Sequence, residues 1–129
     1  MARILLIDDE QDVLFLLRSV LELDGHAIST AGNGAEALAL LGVDPPQPEA
    51  ELPDLIILDV MMPVMDGFSL SFRLAQDSRL GKTPVVFLTA RGGMRHSFQP
   101  PANVAAFLEK PVESLRLRAL VTRILAAPR

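Results

Sequence analysis

Short apolar runs and helix-period segments take turns along this chain. Ile4-Leu5-Leu6-Ile7 is unbroken, so Arg3–Ile7 reads as a strand buried on both faces. From Glu10 to Leu23 the period changes. Val13, Leu14, Leu16, Leu17, Val20 and Leu21 make the wide apolar stripe of a helix packed on a core. Asp24-Gly25 ends it, with Gly25 suited to a left-handed cap. A weaker strand is expected over His26–Thr30, then a helix capped by Asn33 and running through Ala35, Ala37, Leu38 and Leu41. A strand over Asp54–Leu58 follows. Pro63 and Asp66-Gly67 mark turns before a helix over Gly67–Gln76. Strands over Pro84–Leu88 and Val104–Leu108 come next. The last helix, Val112–Ala126, places Leu115, Leu117, Leu120, Val121, Ile124 and Leu125 on its apolar side.

This alternation predicts an α/β fold: a doubly wound parallel sheet with right-handed crossovers and helices on both faces. Two segments break the pattern. Gly42–Pro53 carries Pro45, Pro46, Pro48 and Pro53 with Asp44, Glu49 and Glu51, and reads as a long exposed loop. Arg91–Asn103 lies where a fourth helix belongs. Gly92-Gly93 and Pro100-Pro101 are poor helix material, so an irregular, mobile connection is expected, with at most a short helix near Met94–Gln99.

The 129 residues, half of them hydrophobic, suffice for one domain over 1–129. A net charge of −4 with no basic run gives no reason to expect nucleic-acid binding, although Arg116, Arg118 and Arg123 make the last helix locally basic. The absence of cysteine excludes disulfide and thiol chemistry. No segment reaches the roughly 18 apolar residues that span a bilayer, and no cleavable leader is evident, so a cytoplasmic location without membrane contact is expected.

The chemistry sits at the predicted strand ends. Asp8 and Asp9 close the first strand and Asp59 the third; Thr89 follows the fourth and Lys110 the fifth. Ligands in open sheets of this kind bind beyond the carboxyl ends of the strands. Two carboxylates about 5 Å apart repel by roughly 3 kcal/mol at an effective dielectric near 20. Mg2+, a hard cation with oxygen ligands, would reverse that repulsion. An Asp in such a site can also act as a nucleophile on phosphorus, with Lys110 and the Thr89 hydroxyl meeting the new phosphoryl oxygens.

Four motifs now stand in order, each after an apolar strand. They are Ile7-Asp8-Asp9-Glu10, Leu58-Asp59-Val60-Met61-Met62-Pro63-Val64-Met65-Asp66-Gly67, Leu88-Thr89-Ala90 and Leu108-Glu109-Lys110-Pro111. Over essentially its whole length the chain resembles the receiver domain of two-component response regulators. The resemblance implies a flavodoxin-like (βα)5 sheet of order 2-1-3-4-5. It makes Asp59 the phosphoacceptor, with Asp9, Asp59 and the Met61 backbone carbonyl on Mg2+ and Asp8 acting through a metal-bound water. Thr89 and Lys110 would meet the phosphoryl group. Thr89 and Phe107 would form the switch pair, with Phe107 placed in the core. Met61 and Arg91 would tune the lifetime of the phosphorylated state, and the bond before Pro111 would be cis. The implied partners are a histidine kinase or phosphotransfer protein and a downstream protein target, with a phosphorylation-dependent dimer as one output. Such a protein is a switch, not a turnover enzyme.

Plainer readings stand beside these. Asp8 or Asp9 alone suits the N-cap of the first helix, Asp66 a cap and turn, and Lys110 a solvent-reaching side chain. Met61, Met62 and Met65 suit packing. His26 and His96 lack ligand spacing. Two rival functions remain. An aspartyl-phosphate phosphatase would favour a second Asp two residues after Asp59, where Met61 stands. A receiver-like docking scaffold that signals without phosphorylation would tend to lack one of the acidic, Thr or Lys residues, and none is lacking.

Overall fold

The computed structural model describes residues 1–90 and 101–127. Five parallel strands, β1 (Arg3–Ile7), β2 (Ala27–Ala31), β3 (Leu55–Asp59), β4 (Val85–Thr89) and β5 (Val104–Glu109), form one sheet in the order β2-β1-β3-β4-β5. Among the described residues the helices are α1 (Gln11–Glu22), α2 (Gly34–Leu40), α3 (Gly67–Ala75) and α4 (Ser114–Ala126). The expected helix between β4 and β5 falls mostly on residues 91–100, outside the described residues.

Period two in the strands divides the core. Leu5 and Ile7 of β1, Ile56 and Leu58 of β3 and Phe87 of β4 face the side covered by α2 and α3, where Ala37, Leu38, Leu70 and Leu74 are buried. Ile4, Leu6, Leu55, Ile57, Val86 and Leu88 face the other side, against Leu14, Leu17, Val20 and Leu21 of α1 and Leu117 and Val121 of α4. Both faces of the three central strands are therefore apolar, which is why their sequences show no alternation.

The stripe of each helix is narrower than its apolar composition. Leu16 is 50% exposed and Leu115 70%, because Leu14, Leu17 and Leu21 already fill the face of α1 that meets the sheet, as Leu117 and Val121 fill that of α4. Phe107 is not a core residue. It is 39% exposed on the edge strand β5 and stacks on Phe87 with ring centroids 5.6 Å apart.

The Gly42–Pro53 segment is exposed from Asp44 to Glu49, as expected, yet it is folded. Gly42 has φ +70° and Gln47 N–H donates to its carbonyl at 2.8 Å. A side chain there would collide with the carbonyl of Gln47, so glycine is needed on two grounds. Val43 and Leu52 pack on the α2–α3 side of the core. Arg79, just past α3, donates to the carbonyls of Leu41, Gly42 and Gln47 at 3.4, 3.0 and 3.2 Å. The carboxylate of Asp77 holds that guanidinium from the other side at 3.2 Å.

Candidate functional site

Strand register assembles the site. Ile7 pairs with Leu58 in the β1–β3 ladder, so Asp8 and Asp59 emerge side by side. Asp59 pairs with Leu88 in β3–β4, which puts Thr89 one step beyond. Thr89 pairs with Glu109 in β4–β5, and the Lys110 N–H donates to the Thr89 carbonyl at 2.7 Å. Parallel strands bring all these residues to one edge of the sheet. The edge is drawn tight by Gly67, the first residue of α3, whose N–H donates to the Val60 carbonyl at 2.9 Å. A Cβ on Gly67 would strike the Asp59 carbonyl.

Carboxylate oxygens of Asp8, Asp9 and Asp59 lie within 4.8 Å of one another. Asp8 and Asp59 are buried, while Asp9 is exposed. The Lys110 ammonium stands 2.9 Å from Asp8 Oδ2, 3.1 Å from Glu10 Oε1 and 3.4 Å from Asp59 Oδ1. Two local bonds orient the acids. Asp8 Oδ1 accepts from the Glu10 N–H at 2.9 Å, and Asp59 Oδ1 from the Met61 N–H at 3.3 Å.

Burial pushes the Asp59 carboxyl up to about 6, and the charge of Asp8 adds to this; Lys110 and the Met61 N–H oppose it without prevailing. Burial works against the charge on Lys110, but its bonds and fields from Asp8, Glu10 and Asp59 win and hold it well above the usual lysine value. The cluster is thus short of positive charge even with its lysine in place. Thr89 Oγ1 is buried without a hydrogen-bond partner, and Asp8 Oδ2 is met only by its ion pair with Lys110 at 2.9 Å. Hard oxygen donors, excess negative charge and a buried carboxylate oxygen met only by an ion pair suit Mg2+. Asp8, Asp9 and Asp59 fit that ion.

The structure brings together Asp8, Asp9, Asp59 and Lys110, with Thr89 at the adjoining strand end. Met61, two residues past Asp59, is 70% exposed beside the cluster. Arg91 lies outside the described residues. The peptide bond between Lys110 and Pro111 is cis. Neither Asp8 nor Asp9 caps α1; the N-cap is Glu10, with no side-chain capping bond. Asn33 and Asp66 do cap, accepting from the N–H groups of Glu36 and Ser69 at 2.8 Å each. Sequence reasoning gave Glu10 no role, yet its carboxylate reaches Lys110. The one signal was a glutamate where a helix start favours Ser, Thr, Asp or Asn.

Comparison with known proteins agrees with this geometry. Residues 4–122 match the family model described as the response regulator receiver domain. The chain is 40% identical over 121 residues to response regulator PleD of Caulobacter vibrioides, covering 93% of this chain and 25% of PleD. It therefore spans about a quarter of that relative. Protein PilH of Pseudomonas aeruginosa is 30% identical over 127 residues, with 98% of this chain and 99% of PilH covered. A crystal structure of a Chloroflexus aurantiacus protein assigned to the response regulators superposes with a TM-score of 0.83 at 32% identity, covering 98% of both chains.

Proposed function

This chain belongs to the receiver domain family of two-component response regulators, and from that premise we propose that it is a Mg2+-dependent phosphoacceptor whose Asp59 carries the signal. The observation that carries the proposal is the meeting of three carboxylates within 4.8 Å, with a lysine ammonium 3.4 Å from Asp59.

In this reading Asp59 attacks the phosphorus of a phosphohistidine on a histidine kinase or phosphotransfer protein. The new O–P bond forms at a carboxylate oxygen as the P–N bond breaks, and water later hydrolyses the acyl phosphate. Asp9, Asp59 and the Met61 carbonyl would hold Mg2+, with Asp8 acting through a bound water. When bound, the ion neutralises the acids and the incoming phosphoryl charge. Lys110 pairs with one phosphoryl oxygen, and the unsatisfied Thr89 hydroxyl donates to another. Movement of Thr89 would free space that half-exposed Phe107 enters, passing the change to the β5 face. Met61 and Arg91 set how readily water reaches the phosphorus. The output is a protein contact, either to a downstream target or to a second copy, and the chain acts as a switch without steady turnover. A cytoplasmic setting goes with this reading, and no described helix is long and apolar enough to cross a membrane.

The test is incubation with acetyl phosphate and Mg2+ followed by intact-mass measurement. Wild type gains the mass of one phosphoryl group, and Asp59→Asn gains none. Equal labelling of the two, or no labelling of either, rejects the proposal.

A further inference from the structure

The three carboxylates around Lys110 are not equivalent. Asp8 and Asp59 approach from side chains no more than 4% exposed, whereas the Glu10 side chain is 61% exposed. An ammonium has three N–H donors and no acceptor. One donor is aligned on Glu10 as a hydrogen bond at 3.1 Å, while Asp8 Oδ2 lacks a hydrogen bond despite lying closer. The exposed acid therefore shares the ammonium with the buried pair and pulls it toward the rim of the cluster.

Helix α1 supplies an independent observation. Glu10 is its N-cap, with extended backbone at φ −93° and ψ 111°, and its side chain makes no capping bond. Asp8 Oδ1 holds the Glu10 N–H, so the backbone is pinned beside the cluster. The carboxylate is left free of its own helix and reaches Lys110, 100 residues along the chain.

We infer that Glu10 is a positioning residue: it holds the Lys110 ammonium at the edge of the acidic cluster until Asp59 carries a phosphoryl group, and releases it then. The inference rests on the reading of Asp59 as phosphoacceptor. Its consequences have opposite signs for the two ligands. Glu10 adds a negative charge near the cluster and draws the ammonium off the buried pair, and both effects favour a divalent cation. The same carboxylate competes with a phosphoryl oxygen for the ammonium and repels that oxygen, and both effects disfavour the loaded state. A residue that served only the start of α1 would move stability and neither affinity.

Two variants separate these roles. Glu10→Gln keeps the reach and removes the charge. Glu10→Asp keeps the charge, suits an N-cap better and is one methylene short of Lys110. Calorimetric titrations of the full chain use Mg2+ alone, then beryllium fluoride at saturating Mg2+ as a stand-in for the phosphoryl group. Glu10→Gln is expected to bind Mg2+ about threefold more weakly and beryllium fluoride about threefold more tightly than wild type. Glu10→Asp shows a smaller gain for beryllium fluoride, since it gives up the contact with Lys110 and keeps the charge, and it unfolds in urea no earlier than wild type, which keeps the test open should Glu10→Gln fold poorly. Unchanged affinities, or two affinities moving in the same direction, overturn the inference alone. A wild-type chain that takes up neither ligand overturns the phosphoacceptor reading and this inference with it.

Discussion

Asp59 is held in a state its surroundings disfavour. Its carboxyl titrates near 6 when folded, above the ordinary value of 3.8, chiefly because it is buried and beside Asp8. Between those two values the folded chain keeps a proton that the unfolded chain has lost. Stability from this group is therefore complete below about 4 and falls as pH rises through about 6. Asp59→Asn removes the decrement while Lys110 keeps Asp8 and Glu10 as partners. In metal-free buffer at pH 7.5 the variant is expected to be about 1–2 kcal/mol more stable than wild type, a figure discounted for solvent screening. The gain vanishes near pH 4. Urea unfolding at the two pH values checks this, and an equal gain at both would refute the electrostatic account. The acids and Lys110 were legible in the sequence because charges closing apolar strands have few innocent explanations. Glu10 was not, since a glutamate at a helix start looks like solvated surface until a residue from the far end of the chain arrives beside it. Phe107 was misplaced because an apolar side chain reads as core, whereas on an edge strand it has a neighbouring strand on one flank only.

At the scale of elements, period and punctuation located the five strands and four helices of the described residues to within two residues, the ordinary scatter of such boundaries. The errors lie where packing, not pattern, decides. Leu16 and Leu115 are apolar at helical spacing yet stay outside, since the sheet offers each helix only one strip of contact. The Gly42–Pro53 segment looked like a plain exposed loop because its anchor, Arg79, sits past another helix and meets the loop only at backbone carbonyls, which carry no sequence signature. Arg79→Ala leaves those carbonyls of Leu41, Gly42 and Gln47 without that donor. It is expected to destabilise the chain by about 1–3 kcal/mol, and Arg79→Lys, which cannot span three acceptors in one plane, by about half as much. Limited proteolysis should then cut within 42–53 at least several-fold faster than in wild type. Unaltered cleavage would mean the loop is held by its other contacts, the packing of Val43 and Leu52 and the ion pairs of Asp44 and Glu51 with Arg73 and Arg3.

For the molecule as a whole, the site exists only because the sheet is closed in one order. Asp8 and Asp9 come from the end of β1, Asp59 from β3 and Lys110 from the end of β5, so no local segment can assemble the cluster. A cation bound there favours the folded chain over the unfolded one by an amount set by concentration, about 2.7 kcal/mol at a hundred times the dissociation constant. For a chain of this length that raises the melting temperature by roughly 5–12 °C. The distribution of the effect is the sharper test. Central strands β1, β3 and β4 are buried on both faces, so their amides exchange with solvent mainly through global unfolding. Saturating Mg2+ should slow exchange in all three by the same factor, and that factor should match the shift in melting temperature. Asp9→Asn leaves the buried core untouched and removes the exposed carboxylate of the cluster, so it should abolish most of the slowing without lowering stability in metal-free buffer. Protection confined to the residues next to Asp8 and Asp9 would instead mean that the ion binds one loop, and that convergence of the three strands is incidental to it.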